Sequence, residues 1–111
     1  MTSKNKAVFF CSFTLKKGAS APEFLTAAKK LNDEYISKQQ GHISWQQLNS
    51  GDTWTDLLTF ETMEDVKSFE DNSAKNPCCL AKNFYSYINL MSCKVRYNSI
   101  MAEHGKGEEV K

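Results

Sequence analysis

The chain has 111 residues, 41% of them hydrophobic and 24% charged, with 14 basic against 13 acidic side chains. That length holds one domain with a single core, and the composition excludes a disordered chain. The net charge of +1 builds no large field, so a nucleic-acid partner is not expected.

Residues 1–6 are a polar lead. No apolar leader or run of spanning length follows, so a cytoplasmic protein without a membrane partner is expected. Residues 7–15, Ala-Val-Phe-Phe-Cys-Ser-Phe-Thr-Leu, are rich in strand formers and read as the first strand. Phe9, Cys11, Phe13 and Leu15 make one apolar face. Val8 and Phe10 point the other way with Ser12 and Thr14, so both sides of this strand should be covered. Ser20-Ala21-Pro22-Glu23 is a capping box with proline in the first turn. The helix it opens should run to about Gln39 and stop at Gly41. Phe24, Ala28, Leu31 and Tyr35, flanked by Leu25 and Ile36, recur at helical spacing.

The stretch from Ile43 to Phe60 alternates at period two around Asn-Ser-Gly-Asp and predicts a β-hairpin. A four-residue loop would set Leu48 opposite Thr53. Ile43, Trp45 and Gln47 then share a face with Trp54, Asp56 and Leu58, and Asp56 stands across from Trp45. Thr62 caps a second helix, with Asp65 as its reciprocal partner and Val66 and Phe69 on the buried side. Residues 72–77 interrupt the pattern. Asn76 is the expected cap of a third helical piece, with Pro77 at its first position. Leu80, Phe84, Tyr87 and Ile88 carry its apolar stripe. Residues 90–97 alternate as the last strand, with Met91, Cys93, Val95 and Tyr97 on one face and Ser92, Lys94 and Arg96 on the other. A single domain over 7–101 is expected, followed by a charged, mobile tail over 102–111.

Strand, helix, hairpin, two-part helix and strand describe an α+β domain: a four-stranded antiparallel sheet with helices on one face. The opposite face carries Val8, Phe10, Leu48 and Leu57. An apolar patch of this kind marks an interface, and a two-fold homodimer, sheet against sheet, would cover it. A monomer with scattered surface apolar residues is the alternative.

These residues resemble the dimeric α+β barrel superfamily, in particular its antibiotic-biosynthesis-monooxygenase-like branch. The resemblance rests on Gly41-His42-Ile43-Ser44-Trp45 opening the second strand and on Phe60-Glu61-Thr62-Met63-Glu64 closing the third, over roughly residues 7–97. It implies a ferredoxin-like βαββαβ fold, a dimeric barrel and a pocket between helices and sheet. Activities in the superfamily include cofactor-free oxygenation and haem degradation. The haem-degrading branch uses an asparagine on strand one, a tryptophan ending strand three and a histidine on helix two. The matching positions here are Cys11, Phe60 and no histidine, so neither haem nor any other cofactor is expected.

The helix-facing side should therefore hold a small, mainly apolar molecule, with Cys11, Phe13, Phe24, Trp45, Leu58, Phe60 and Phe84 as candidate ligand contacts. A filled core fits the same residues. Asp56, placed on that apolar side, would have a raised pKa suited to proton transfer; a wet strand end is its plainer reading. His42, just past a helix end, is a second candidate acid or base, or a solvated loop residue. Cys78 and Cys79 at a helix start could be reactive thiolates or simply small buried residues. Cys11 and Cys93 could approach each other across neighbouring strands, and core packing is the expected outcome in a reducing compartment. Lys94 and Arg96 should form ion pairs or solvated ends, with an anion site as the alternative. No metal-ligand spacing is present among the four cysteines. Three functions follow: a homodimeric small-molecule-binding barrel, a cofactor-independent monooxygenase or isomerase acting on an aromatic or polyketide-like compound, or a stress- or thiol-responsive protein using Cys78 and Cys79.

Overall fold

The computed structural model of the protein describes residues 5–75 and 78–105. The strands are β1 (Ala7–Leu15), β2 (His42–Ser50), β3 (Thr53–Phe60) and β4 (Ile88–Ser99), and the helices are α1 (Ala21–Glu34), α2 (Met63–Lys75) and α3 (Cys79–Tyr85). The four strands form one antiparallel sheet in the order β2-β3-β1-β4. This is the ferredoxin-like α+β arrangement, with β1 central and β4 beside it at the edge.

Local chemistry sets the element ends. The Ser20 hydroxyl accepts the Glu23 N–H at 3.3 Å and starts α1. The helix ends at Glu34, earlier than its periodicity predicts, and a 3-10 turn over Ile36–Lys38 carries the chain onward. That turn still brings Ile36 into the core. The Thr62 hydroxyl accepts the Asp65 N–H at 3.1 Å and caps α2. The Asp65 carboxylate accepts from Gln40 Nε2 instead of folding back on the cap. Helix α2 runs through 72–75, where a break was expected. The proposed cap Asn76 and Pro77 lie outside the described residues, as do 106–111 of the expected tail. In the described chain Cys78 caps α3, its sulfur accepting the Ala81 N–H at 3.3 Å.

Gly41 links α1 to the hairpin with a φ of 77°. A β-carbon there would meet the Asp65 side chain. Gly41→Ala therefore combines left-handed strain of ~1–2 kcal/mol with a steric collision. A loss of at least about 2 kcal/mol in urea unfolding is expected. An unchanged midpoint would show that Asp65 moves aside freely and that the strain is relieved.

The hairpin turn is tighter than expected. Ser50 pairs with Thr53, leaving two loop residues, with Gly51 at φ 64° as a type II′ turn requires. Trp45 therefore pairs with Leu58, and Asp56 with Gln47, two residues from the expected register. A two-residue slip preserves the faces, because side chains alternate at period two. Ile43 is the exception. The pairing shifts between His42 and Ser44, so Ile43 sits in a bulge and is exposed.

Strand β4 carries a larger irregularity. Its pairing with β1 shifts between Ser12 and Thr14, so that Ser12 faces Lys94 and Thr14 faces Asn89. Residues 90–93 loop out of the ladder. The Ser92 hydroxyl accepts the Thr14 N–H at 2.9 Å and donates to the Asn89 carbonyl at 2.6 Å, bridging the gap. Met91, expected on the inner face, is instead 96% exposed.

The helices cover one side of the sheet. Ala7, Phe13, Phe24, Ala28, Leu31, Leu58, Phe60, Val66, Phe84 and Ile88 are buried between the layers. The other side is bare in the single chain. There Leu57 pairs with Phe10 and Phe10 with Arg96, whose guanidinium lies 5.8 Å from the Phe10 ring centre. That cation–π contact stands where an ion pair or solvated end was expected for Arg96. No described helix is long and apolar enough to cross a membrane.

Candidate functional site

A cavity of about 300 Å³ opens between the sheet and the helices. That is at the lower end of the range for small-molecule pockets, roughly 300–1,000 Å³. Its floor is Phe9 from β1, Trp45 from β2 and Asp56 and Leu58 from β3. Leu31, Ile36 and Phe84 close it from one side, with Tyr85. Helix α2 supplies the remaining wall with Phe69, Glu70, Ser73 and Ala74. The aromatic rings brace one another. Trp45 meets Phe84 edge to face with centres 5.5 Å apart, and Phe9 meets Phe69 in the same way at 6.5 Å. Such pairs hold geometry as well as adding area.

Asp56 is the polar centre of this wall. It is only 6% exposed. Gln47 Nε2 donates to its Oδ1 at 3.3 Å. The Trp45 indole N–H faces the carboxylate closely enough to favour its charged form, yet lies outside good hydrogen-bond geometry and has no other partner. Burial dominates over both donors and pushes the Asp56 pKa up to about 6. Glu70 sits at the cavity edge and accepts from the Tyr97 hydroxyl at 2.7 and 2.6 Å. That bond leads the causes that push Tyr97 up to about 12. About half of Tyr85 is exposed, while its hydroxyl end is drawn inward. Burial first, then the acids Cys11, Asp56, Cys93 and Glu70, push this phenol up to about 12.

Of the seven side chains suggested by sequence as ligand contacts, Trp45, Leu58 and Phe84 line the cavity. Phe13, Phe24 and Phe60 are packed into the core. Cys11 is half-buried beside Cys93 and Asp56, off the lining. Burial, then the charges of Cys93 and Asp56, push the Cys11 thiol up to about 12, and burial raises Cys93 as well. Both are free thiols.

His42 is not on the cavity wall. It packs edge to face on Phe60 at 5.5 Å, and its Nε2 is buried without a partner. Burial lowers its pKa and favours the neutral ring. Cys78 serves as the cap of α3, and Cys79 is exposed.

Sequence reasoning missed Glu70, Ser73, Ala74 and Tyr85. The first three continue the inward face begun by Val66 and Phe69 at three- and four-residue steps. The break assumed over residues 72–77 hid Ser73 and Ala74. Nothing local marks Tyr85, which follows the buried Phe84 at the end of α3.

Among the described residues no group of three or more histidine, cysteine or acidic side chains could hold a metal ion. Among the described residues the cavity wall carries no histidine, cysteine or methionine, and the phenol of Tyr85 is the one side chain there of a haem-ligating type.

The fold and the cleft together define a ferredoxin-like α+β domain with an aromatic helix–sheet pocket. It shares the fold of the antibiotic-biosynthesis-monooxygenase-like branch of the dimeric α+β barrels. A mutant of SnoaB, a cofactor-independent oxygenase from Streptomyces nogalater, superposes with a TM-score of 0.71 at 10% identity, covering 92% of this chain and 99% of that one. A dimeric ferredoxin-like protein from an uncultured marine organism gives 0.64 at 10% identity, over 94% and 95% of the two chains. A haem-degrading protein from Mycobacterium tuberculosis gives 0.65 at 10% identity, over 94% and 100%. No family model matches the chain, and no curated protein does.

Proposed function

We propose that the protein is a homodimeric binding module of the cytoplasm, each subunit holding a small, mainly apolar molecule in the helix–sheet cavity. One observation carries the reading: an aromatic-walled cavity of about 300 Å³ remains open while the core beside it is fully packed. A core without a ligand role would be expected to close such a space, since interiors pack to crystal-like density. The bare sheet face supports the two-fold pairing, because Val8, Phe10, Leu48 and Leu57 share it with few charges.

The test is native mass spectrometry and calorimetry with 2-naphthalenemethanol, a neutral two-ring probe. A dimer mass and saturable binding of one probe per subunit are expected. Ala74→Trp, which places an indole at the exposed wall of the cavity, should weaken binding by about tenfold or more. A single-chain mass would remove the dimer. Absent binding, or binding indifferent to Ala74→Trp, would remove the site.

Asp56 favours a second reading, a cofactor-independent oxygenase or isomerase. A carboxylate with a pKa of about 6 inside an apolar cavity suits proton abstraction from a phenol or activated C–H. Oxygen uptake or probe turnover in the same samples would move the protein to this class.

A further inference from the structure

The chemistry of the cavity wall selects among guests. Its polar groups are two carboxylates, one phenol, one serine hydroxyl and the Trp45 indole N–H, and among the described residues no lysine, arginine or histidine lines it. An anionic guest would bring a second negative charge beside Asp56 with nothing to neutralise it, in a space where like charges repel strongly. The rings of Trp45, Phe69 and Phe84 present faces and edges whose quadrupoles attract cations. Asp56 has room for about four hydrogen bonds, and Gln47 supplies a long one at 3.3 Å. We propose that the cavity recognises an aromatic or aryl-alkyl amine, its ammonium group on Asp56 and its ring between Trp45, Phe69 and Phe84.

The assignment rests on the binding reading above and makes it specific. An ammonium at Asp56 would neutralise a carboxylate that burial disfavours. The Trp45 indole N–H faces the same carboxylate and has no other partner. Glu70, held by Tyr97 at the cavity edge, adds negative potential along the way in. The carboxylates of Asp56 and Glu70 would both oppose a carboxylate ligand.

Three probes on one two-ring frame test this: 2-naphthylmethylamine, 2-naphthalenemethanol and 2-naphthoate, titrated calorimetrically near neutral pH into the full chain. The amine should bind about tenfold or more tightly than the alcohol, and the naphthoate most weakly, as expected for a charge-assisted hydrogen bond. Asp56→Asn, nearly identical in shape, should erase the amine's advantage over the alcohol. Circular dichroism confirms that the variant is folded. Equal binding of amine and alcohol, a preference for naphthoate, or an amine advantage that survives Asp56→Asn would each overturn the assignment while leaving the binding site standing. So would loss of alcohol and amine together in that variant. Failure of all three probes would remove the binding reading and the assignment with it.

Discussion

Phe24→Ala should destabilise the protein by about 3–5 kcal/mol, the usual range for removing a buried phenylalanine. The ring is fully buried and belongs to no single pair. It stacks on Phe84 with centres 5.1 Å apart and meets Trp54 at 5.2 Å, Phe13 at 5.8 Å and Tyr87 at 6.3 Å. It thereby joins α1 to β1, β3 and α3. Such pairs add ~0.5–1.5 kcal/mol beyond area burial, and the cavity left behind cannot collapse while four rings stay fixed by other contacts. Against a total stability of ~5–15 kcal/mol for a domain, the loss is a large fraction of the whole. Urea unfolding should show a large fall in midpoint with little change in slope. A loss below about 1 kcal/mol would mean that the neighbouring rings repack, and the core would not be the rigid frame described. Phe24 does not line the cavity, so a milder Phe24→Leu variant should keep its affinity for the neutral probe.

Asp56→Asn should act in the opposite direction and stabilise the fold at neutral pH. The folded pKa of about 6 lies above the ordinary 3.8. Relative to an always-ionised acid, this group's favourable contribution is complete below 3.8 and is lost as pH rises through about 6. Above that point the chain must bury a carboxylate. The gap corresponds to roughly 3 kcal/mol, and asparagine avoids it while keeping a side-chain oxygen for Gln47. Some of the gain returns as imperfect pairing, so an advantage of about 1–3 kcal/mol is expected above pH 7. The difference between variant and native protein should grow from about pH 4 to 6 and then level off. Denaturation at several pH values checks this. A native protein more stable than the variant at pH 8 would contradict burial as the dominant influence on Asp56.

The two predictions separate what the sequence could say from what it could not. Alternation and capping announced the strands and the starts of α1 and α2, because period and cap chemistry are local properties, but Ile88, read as part of the third helix, opens β4. The hairpin partners were displaced by two residues, since a turn of two or four residues fits the same polar run. Asp56 still shared a face with Trp45, because an even slip leaves the faces unchanged. A bulge is different: the register shift at Ile43 leaves that side chain exposed, and no local signal announced it. The division between packed rings and cavity wall was also hidden. Phe24 and Phe84 read alike in sequence, and only the depth at which the helices settle makes one pure core and the other a boundary. The tail of α2 was lost for a simpler reason. Residues 72–75 looked like part of a break because a cavity wall needs fewer large apolar side chains than a core.

The irregular outer strands carry one more consequence. β2 and β4 are the two margins of the sheet, and each is kinked, by Ile43 in one and by residues 90–93 in the other. A margin bent in this way is a poor template for another chain's backbone, so end-to-end growth into fibrils is disfavoured. Self-association is thereby steered away from open-ended polymers and toward a closed assembly that stops growing once it has formed.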